Sequence, residues 1–175
     1  METRAIDLGV LSPVVIIRKA SEGDWPLIYP IYAAIMADGK TYAFPENQTL
    51  EQARPWWMEP PPGQTVVAIS DGIIKGSAKM GPNRPGRGSH VATASFLVDP
   101  ACRGQGTGRA LGEYVLDWCR SAGFASIQFN AVVETNERAV ALWRSLGFVA
   151  LAAVPEAFEH PTDGRVALLI MHRFL

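Results

Sequence analysis

The chain has 175 residues, 48% of them hydrophobic, with 16 basic and 17 acidic side chains and a formal charge of −1. That length suits one domain with a genuine core, and the near-neutral charge argues against a broad footprint for nucleic acid or an anionic membrane. No apolar run reaches spanning length and no signal pattern opens the chain, while Cys102 and Cys119 form neither a metal-ligand spacing nor a disulfide framework, so a cytoplasmic protein with no metal is expected.

Residues 1–12 read as a flexible leader and residues 13–175 as the single domain. Residues 13–20 (PVVIIRKA) form the first expected strand. Ser21 with Asp24 three positions on makes a capping box, and a helix follows to about residue 38 with Leu27, Ile28, Ile31 and Ile35 inward. Pro30 is expected to kink or break it. A second helix, residues 49–59, contains Pro55 and lies in a segment rich in Tyr42, Phe44, Trp56, Trp57 and proline. Such a segment walls a pocket or caps the core, and the sequence does not choose between them.

Residues 65–70 and 73–80 are strands joined by Asp71-Gly72, a type I′ hairpin signal. After a longer turn at 81–88, residues 90–98 form the next strand. A helix over residues 106–122 ends at Gly123, a strand follows at 126–133, and Asn136 opens a helix that Gly147 closes. Residues 148–154 and 166–175 are the last strands, around a loop holding Phe158 and a solvated His160.

The stretch TASFLVDPACRGQGTGR, residues 93–109, organises this order. A strand ends at Asp99-Pro100, and a glycine-rich loop then leads into a helix. Free backbone N–H groups and the positive end of the helix dipole so converge in one concavity, suited to a phosphate. Arg103 and Arg109 add charge at its edges. Neither the G-x-G-x-x-G dinucleotide fingerprint nor the P-loop pattern fits.

What fits is Arg103-x-x-Gly106-x-Gly108, which resembles the coenzyme A pyrophosphate loop of the GCN5-related N-acetyltransferases. Residues 136–148, NERAVALWRSLGF, resemble the same family's N-x-x-A-x-x-L-Y-x-x-x-G-F helix, and the element order agrees over residues 14–175. The resemblance implies an α/β (α+β) fold with a mixed central sheet of about seven strands, flanked by about four helices and splayed between the fourth and fifth strands. It implies acetyl-CoA in that gap, held by Leu97, Val98, Arg103, Gly104, Gln105, Gly106, Thr107, Gly108, Arg109, Asn136 and Trp143. The Val98 N–H is then placed to polarise the thioester carbonyl.

Asn136 serves equally as a helix N-cap and as a cofactor contact near the reacting end. At Trp143 the family usually has a tyrosine that protonates the leaving thiolate. An indole N–H cannot do so, and Trp143 is expected to wall the channel or pack in the core. Gln128-Phe129-Asn130, Thr135-Asn136, Pro82-Asn83 and Ser89-His90 resemble a subgroup containing a fungal N-acetyltransferase of proline analogues, where a tryptophan likewise replaces the tyrosine. That likeness implies an acceptor site at Asn130, with Thr93 where the subgroup has an asparagine; Tyr42, Phe44 and His90 complete the expected lining. His90, Glu134 and Asp38 are the candidate bases.

The expected function is acetyl transfer from acetyl-CoA to a small-molecule amine, such as an amino acid or proline analogue, by direct attack in a ternary complex at Val98, Asn130 and Asn136. A non-catalytic acyl-CoA-binding module and a protein N-acetyltransferase are the alternatives. No nucleic acid or membrane partner is expected, and a homodimer is left open.

Overall fold

A computed structural model describes residues 14–175, so the expected leader and Pro13 lie outside the described residues. The elements are β1 (Ile16–Lys19), α1 (Trp25–Asp38), α2 (Leu50–Trp57), β2 (Gln64–Ser70), β3 (Ile73–Pro82), β4 (Val91–Val98), α3 (Thr107–Ser121), β5 (Ser126–Val133), α4 (Glu137–Ser145), β6 (Val149–His160) and β7 (Gly164–Phe174). They build a seven-stranded sheet in the order β1-β2-β3-β4-β5-β7-β6. Every neighbouring pair is antiparallel except β4 with β5. The expected mixed α/β architecture is therefore the observed one.

Alternation along the strands divides the core into two layers. Val66 and Ala68 of β2, Ala78 and Met80 of β3, Ala92 of β4, and Ile127 and Phe129 of β5 pack under α3 and α4 with Leu111, Val115, Trp143 and Leu146. Val67 and Leu97, from the opposite face, pack under α1 and α2 with Trp25, Ile28, Tyr32 and Trp57. Each large side chain buried this way contributes ~1.5–3 kcal/mol.

Two expectations are corrected. Pro30 does not break α1, which runs unbroken through it. Pro30 lies on the exposed face, while Ile28, Ile31, Tyr32, Ile35 and Met36 bury the opposite one, and that packing holds the helix across the missing hydrogen bond. The expected loop around Phe158 and His160 is also absent: β6 continues to His160 and pairs with β7 as far as Gly164. The register shifts between Val154 and Phe158, around Pro155 and a Glu156 of φ 51°, so a bulge absorbs the proline. Phe158 then packs on Val133 and Val166. His160 is buried, not solvated, and its Nδ1 accepts from the Asp163 N–H at 3.2 Å.

The start of α1 is held by one buried carboxylate. Asp24 takes both guanidinium nitrogens of Arg18 at 2.8 Å and the Ser21 N–H at 2.7 Å, tying β1 to the helix. The Arg18 hydrogen bonds hold the Asp24 carboxyl well below the usual carboxylate range. A folded pKa below the unfolded one makes this contribution complete above about pH 4 and loses it as the pH falls through the acid range. Asp24→Asn is expected to lower stability by ~1.5–3 kcal/mol at pH 7 in urea unfolding. The difference from the parent should shrink below about pH 4.

Candidate functional site

β4 and β5 stay together for only two rungs, Val91 with Ser126 and Ala92 with Ile127, and then part. β4 runs on to Val98 and β5 to Val133, leaving a gap between two strands that have no ladder beyond those rungs. The Asn83 N–H donates to the Val91 carbonyl and the Asp99 N–H to the Lys75 carbonyl, which sets the direction of each β4 peptide. Odd-numbered residues turn their backbone groups toward β3, and Ala92, Ala94, Phe96 and Val98 turn theirs toward β5 and the gap. Val98 therefore presents its N–H to the gap. Leu97 does not face the gap: its backbone turns to β3, and its side chain is fully buried under α1 and α2.

At the C-terminal end of β4, Asp99 caps a short 3-10 turn, accepting from the Ala101 N–H at 2.9 Å, and the chain enters α3 through Gly104 and Gly106. Their φ angles are 80° and 86°, and a Cβ at either position would meet nothing within 4 Å. The backbone there is thus bare and open. No side chain caps the N-terminus of α3; its first intrahelical bond to the loop runs from the Ala110 N–H to the Gly106 carbonyl. The N–H groups of Thr107, Gly108 and Arg109 precede that bond and have no intrahelical acceptor. Such an uncapped end beside a bare loop fits the pyrophosphate of acetyl-CoA.

The helix is drawn close to the sheet by Gly76, where a Cβ would meet the Leu97 carbonyl oxygen at 2.7 Å and Thr107 Cγ2 at 3.1 Å. Arg103 and Gln105 are exposed on the loop. Arg109 is partly engaged elsewhere, donating to Ser145 Oγ at 2.7 Å and lying 3.6 Å from Glu113.

On the α1/α2 face, the sheet carries polar side chains toward the gap. Asn130 Nδ2 donates to Asn83 Oδ1 at 2.7 Å, and Gln128 Nε2 donates to Asn130 Oδ1 at 2.9 Å. This amide cluster links Asn83, the residue after β3, to β5 beside the gap. Thr93 and Ser95 share that face and register against Gly81 and Lys79. Lys79 Nζ lies 3.5 Å from Glu59 and 5.9 Å from the Phe44 ring centroid. Tyr42 stacks on Phe44 at 5.0 Å and meets Trp57 edge-on at 6.2 Å.

The two tryptophans differ in burial. Trp57 is fully buried, its Nε1 donating to Ser77 Oγ at 2.9 Å, while Trp56 is 40% exposed. Tyr42 reaches furthest: its hydroxyl donates to the Phe96 carbonyl at 2.6 Å and accepts from the Phe96 N–H at 2.8 Å. His90 is exposed in the turn before β4.

Asn136 caps α4, its Oδ1 accepting from the Ala139 N–H at 3.3 Å, which leaves its amide N–H₂ available. Trp143 is 7% exposed and packs against Phe96 and Phe129 at centroid distances of 4.6 and 4.9 Å. Of the candidate bases, Asp38 pairs with Lys40 at 3.4 Å, and Glu134 accepts from the Ala167 N–H at 2.8 Å. Burial pushes the Cys119 thiol up to about 12, so it is no nucleophile at neutral pH.

Sequence reasoning missed Glu59, Lys79, Ser95 and the Phe96 backbone. Alternation within the strand 73–80 would have put Lys79 on the face of Ser77, but nothing local brings Glu59 over it. Asn83 was noted only as part of a resemblance, without its partner.

The loop geometry carries a direct test. Gly106→Val costs ~1–2 kcal/mol for a side chain in the left-handed region, and its Cβ meets nothing within 4 Å, so the change falls on the open surface of the loop. A folded Gly106→Val protein is expected to show no measurable heat on titration with coenzyme A.

Comparisons with known proteins agree with this geometry. The sequence profile of the acetyltransferase (GNAT) family matches residues 25–148. The solved structure of a GCN5-related N-acetyltransferase from Kribbella flavida is 53% identical and superposes with a TM-score of 0.89, over 92% of this chain and 98% of that one. Among curated proteins, the N-acetyltransferase aca1 of Schizosaccharomyces pombe is 38% identical over 84 residues, 48% of this chain and 40% of that protein. The [Ribosomal protein bS18]-alanine N-acetyltransferase of Escherichia coli is 39% identical over 77 residues, 44% of this chain and 51% of that protein. The matches thus span about half or less of these curated relatives. With a matching profile over most of its length and a parted β4–β5 pair beside a bare glycine loop, the chain belongs to the acetyltransferase (GNAT) family, whose acetyl donor is acetyl-CoA.

Proposed function

We propose that this protein is a cytoplasmic N-acetyltransferase that moves the acetyl group of acetyl-CoA to the amine of a small molecule, an amino acid or proline analogue among the candidates. The reaction is direct attack within a ternary complex. The observation that carries the acceptor class is the amide cluster Asn83–Asn130–Gln128, which lies beside the gap on the sheet face opposite the α3/α4 core. Amides donate and accept without charge of their own, so they orient a compact polar acceptor while its amine loses a proton.

In this reading the α3 N-terminus and residues 103–109 hold the pyrophosphate, and the Asn136 amide steadies the chain leading to the thioester. The Val98 N–H turns into the gap, where it can polarise a thioester carbonyl. Glu59, near Gly81 on the acceptor face, is the carboxylate best sited to take the ammonium proton, directly or through water. Trp143 packs and does not donate a proton. The departing thiolate needs none, since a thiol pKa of ~8.5 makes it a fair leaving group.

Protein acetylation is the second reading, favoured by the likeness to a ribosomal-protein alanine N-acetyltransferase. The connected rings of Tyr42, Phe44 and Trp56 favour a compact acceptor over a polypeptide in this reading. Assay of acetyl-CoA turnover, read as free thiol, against amino acids, proline analogues and an alanine-first peptide decides between them. Turnover confined to the peptide overturns the small-molecule reading, and no turnover with any amine overturns acetyl transfer.

Asn130→Ala removes one hydrogen bond to a polar acceptor and leaves Asn83 and Gln128 without their shared partner. With ~1.5–3 kcal/mol at stake, kcat/KM for the acceptor is expected to fall roughly ten- to a hundred-fold. Acetyl-CoA affinity by calorimetry should change little. Trp143→Phe is expected to keep most of the turnover while lowering stability by about 1–3 kcal/mol through lost packing on Phe96 and Phe129. Thermal melts and steady-state rates on the same preparation check both halves.

A further inference from the structure

The Tyr42 hydroxyl occupies an unusual place. Beyond Ala92, β4 has lost β5, and the N–H and carbonyl of Phe96 point into the gap with no strand opposite them. Both end on one atom, the Tyr42 phenol oxygen, at 2.8 and 2.6 Å. The phenol therefore sits at the gap edge one rung before Val98, between the acceptor face that carries Thr93 and Ser95 and the end of β4 that leads to the glycine loop.

The ring is held rigidly. Phe44 stacks on it with planes 20° apart, and Trp57 meets it at 78°. Trp57 is itself fixed through Ser77, whose hydroxyl donates to the Val66 carbonyl at 2.8 Å.

We propose that Tyr42 is a catalytic residue: its O–H, with the phenol oxygen held by the Phe96 N–H from which it accepts, donates to the thioester oxygen as negative charge develops on it. The proposal rests on the acetyl-transfer reading above. The amine lone pair forms a C–N bond to the thioester carbon, and the C=O π pair moves onto oxygen, where the phenol O–H stabilises it. Collapse re-forms C=O and breaks C–S, and that pair leaves on sulfur as the thiolate. The extra ammonium proton passes to a carboxylate or water. Tyr42 turns its hydrogen from the Phe96 carbonyl to the thioester oxygen and keeps it throughout.

Retention of that proton follows from the surroundings. Burial pushes the Tyr42 phenol well above its ordinary pKa. It so remains a neutral donor across the working pH range and is too weak an acid to protonate a thiolate. The role differs from that of a proton-donating tyrosine on α4, a position that Trp143 fills here.

Tyr42→Phe is the test, since it removes the hydroxyl and keeps the ring in its stack. Loss of one such donor costs roughly a hundred-fold or more in kcat. The expected result is a fall of that order, with coenzyme A affinity by calorimetry within about threefold of the parent. A second measurement reads the contact without turnover. 3-Fluorotyrosine at position 42 should shift its ¹⁹F resonance when a ketone analogue of acetyl-CoA binds, and much less with coenzyme A lacking the acetyl carbonyl.

Unchanged kcat in Tyr42→Phe with a lowered melting temperature would show a purely structural tyrosine and overturn the proposal. Tighter acetyl-CoA binding with faster turnover would make it a plug that the donor displaces, and overturns it equally. If Tyr42→Phe fails to fold, the fluorine shift decides. If the parent binds acetyl-CoA but acetylates no amine, the acetyl-transfer reading fails, while the fluorine comparison still judges the Tyr42 contact.

Discussion

The parting of β4 from β5 after two rungs is the constraint on which the rest of the structure depends. A strand edge inside a domain cannot leave its N–H and carbonyl groups bare, because each unsatisfied buried group costs about as much as a lost hydrogen bond. Something must meet the edge of β4 from Ala94 to Val98. At Phe96 the protein uses its own phenol. Beyond it, the edge leads to the bare glycine loop and the uncapped end of α3, where a ligand backbone and phosphates can complete the pairing. The gap is thus a sheet left unfinished.

The two helical layers then divide the work. α3 approaches the sheet at Gly76 and approaches α4 at Gly112, where a Cβ would lie 2.6 Å from Leu146 Cδ1. These close contacts fix the loop and the α4 cap on one side of the gap. On the other side, α1 and α2 cover β2, β3 and β4, and Tyr42, Phe44, Trp56 and Trp57 form a connected aromatic array. The amide cluster of Asn83, Gln128 and Asn130 lies on the same face of the sheet.

Trp143 shows how the layers share the chemistry. Its indole fills the space between Phe96, Phe129 and Phe148, beneath the same Phe96 whose backbone faces the gap. The side chain of Phe96 belongs to one layer, while its peptide faces the gap.

Several parts of this arrangement were legible from residue order. The hairpin at Asp71-Gly72 has positive φ at both residues, as a type I′ turn requires, and Asn136 and Gly147 bound α4 as their chemistry demands. The glycine loop could be read because glycine in a strand-to-helix turn leaves a local mark on the sequence, and because the family's motif lies within a few residues. Other features left no local mark. Pro30 reads as a break, yet α1 survives it because six buried side chains on the same helix hold their places in the core. Pro155 reads as the end of a strand, yet β7 pairs past it and Phe158 finds Val133 and Val166.

The sequence by itself determined the order of elements, the glycine loop and the caps, all of which arise from neighbours within a turn or two. Only the tertiary structure decided what spans 54 residues between Tyr42 and Phe96, or 47 between Asn83 and Asn130. Those pairs depend on where the sheet opens and how the layers pack, and no local propensity encodes a contact whose two halves are brought together by the rest of the fold.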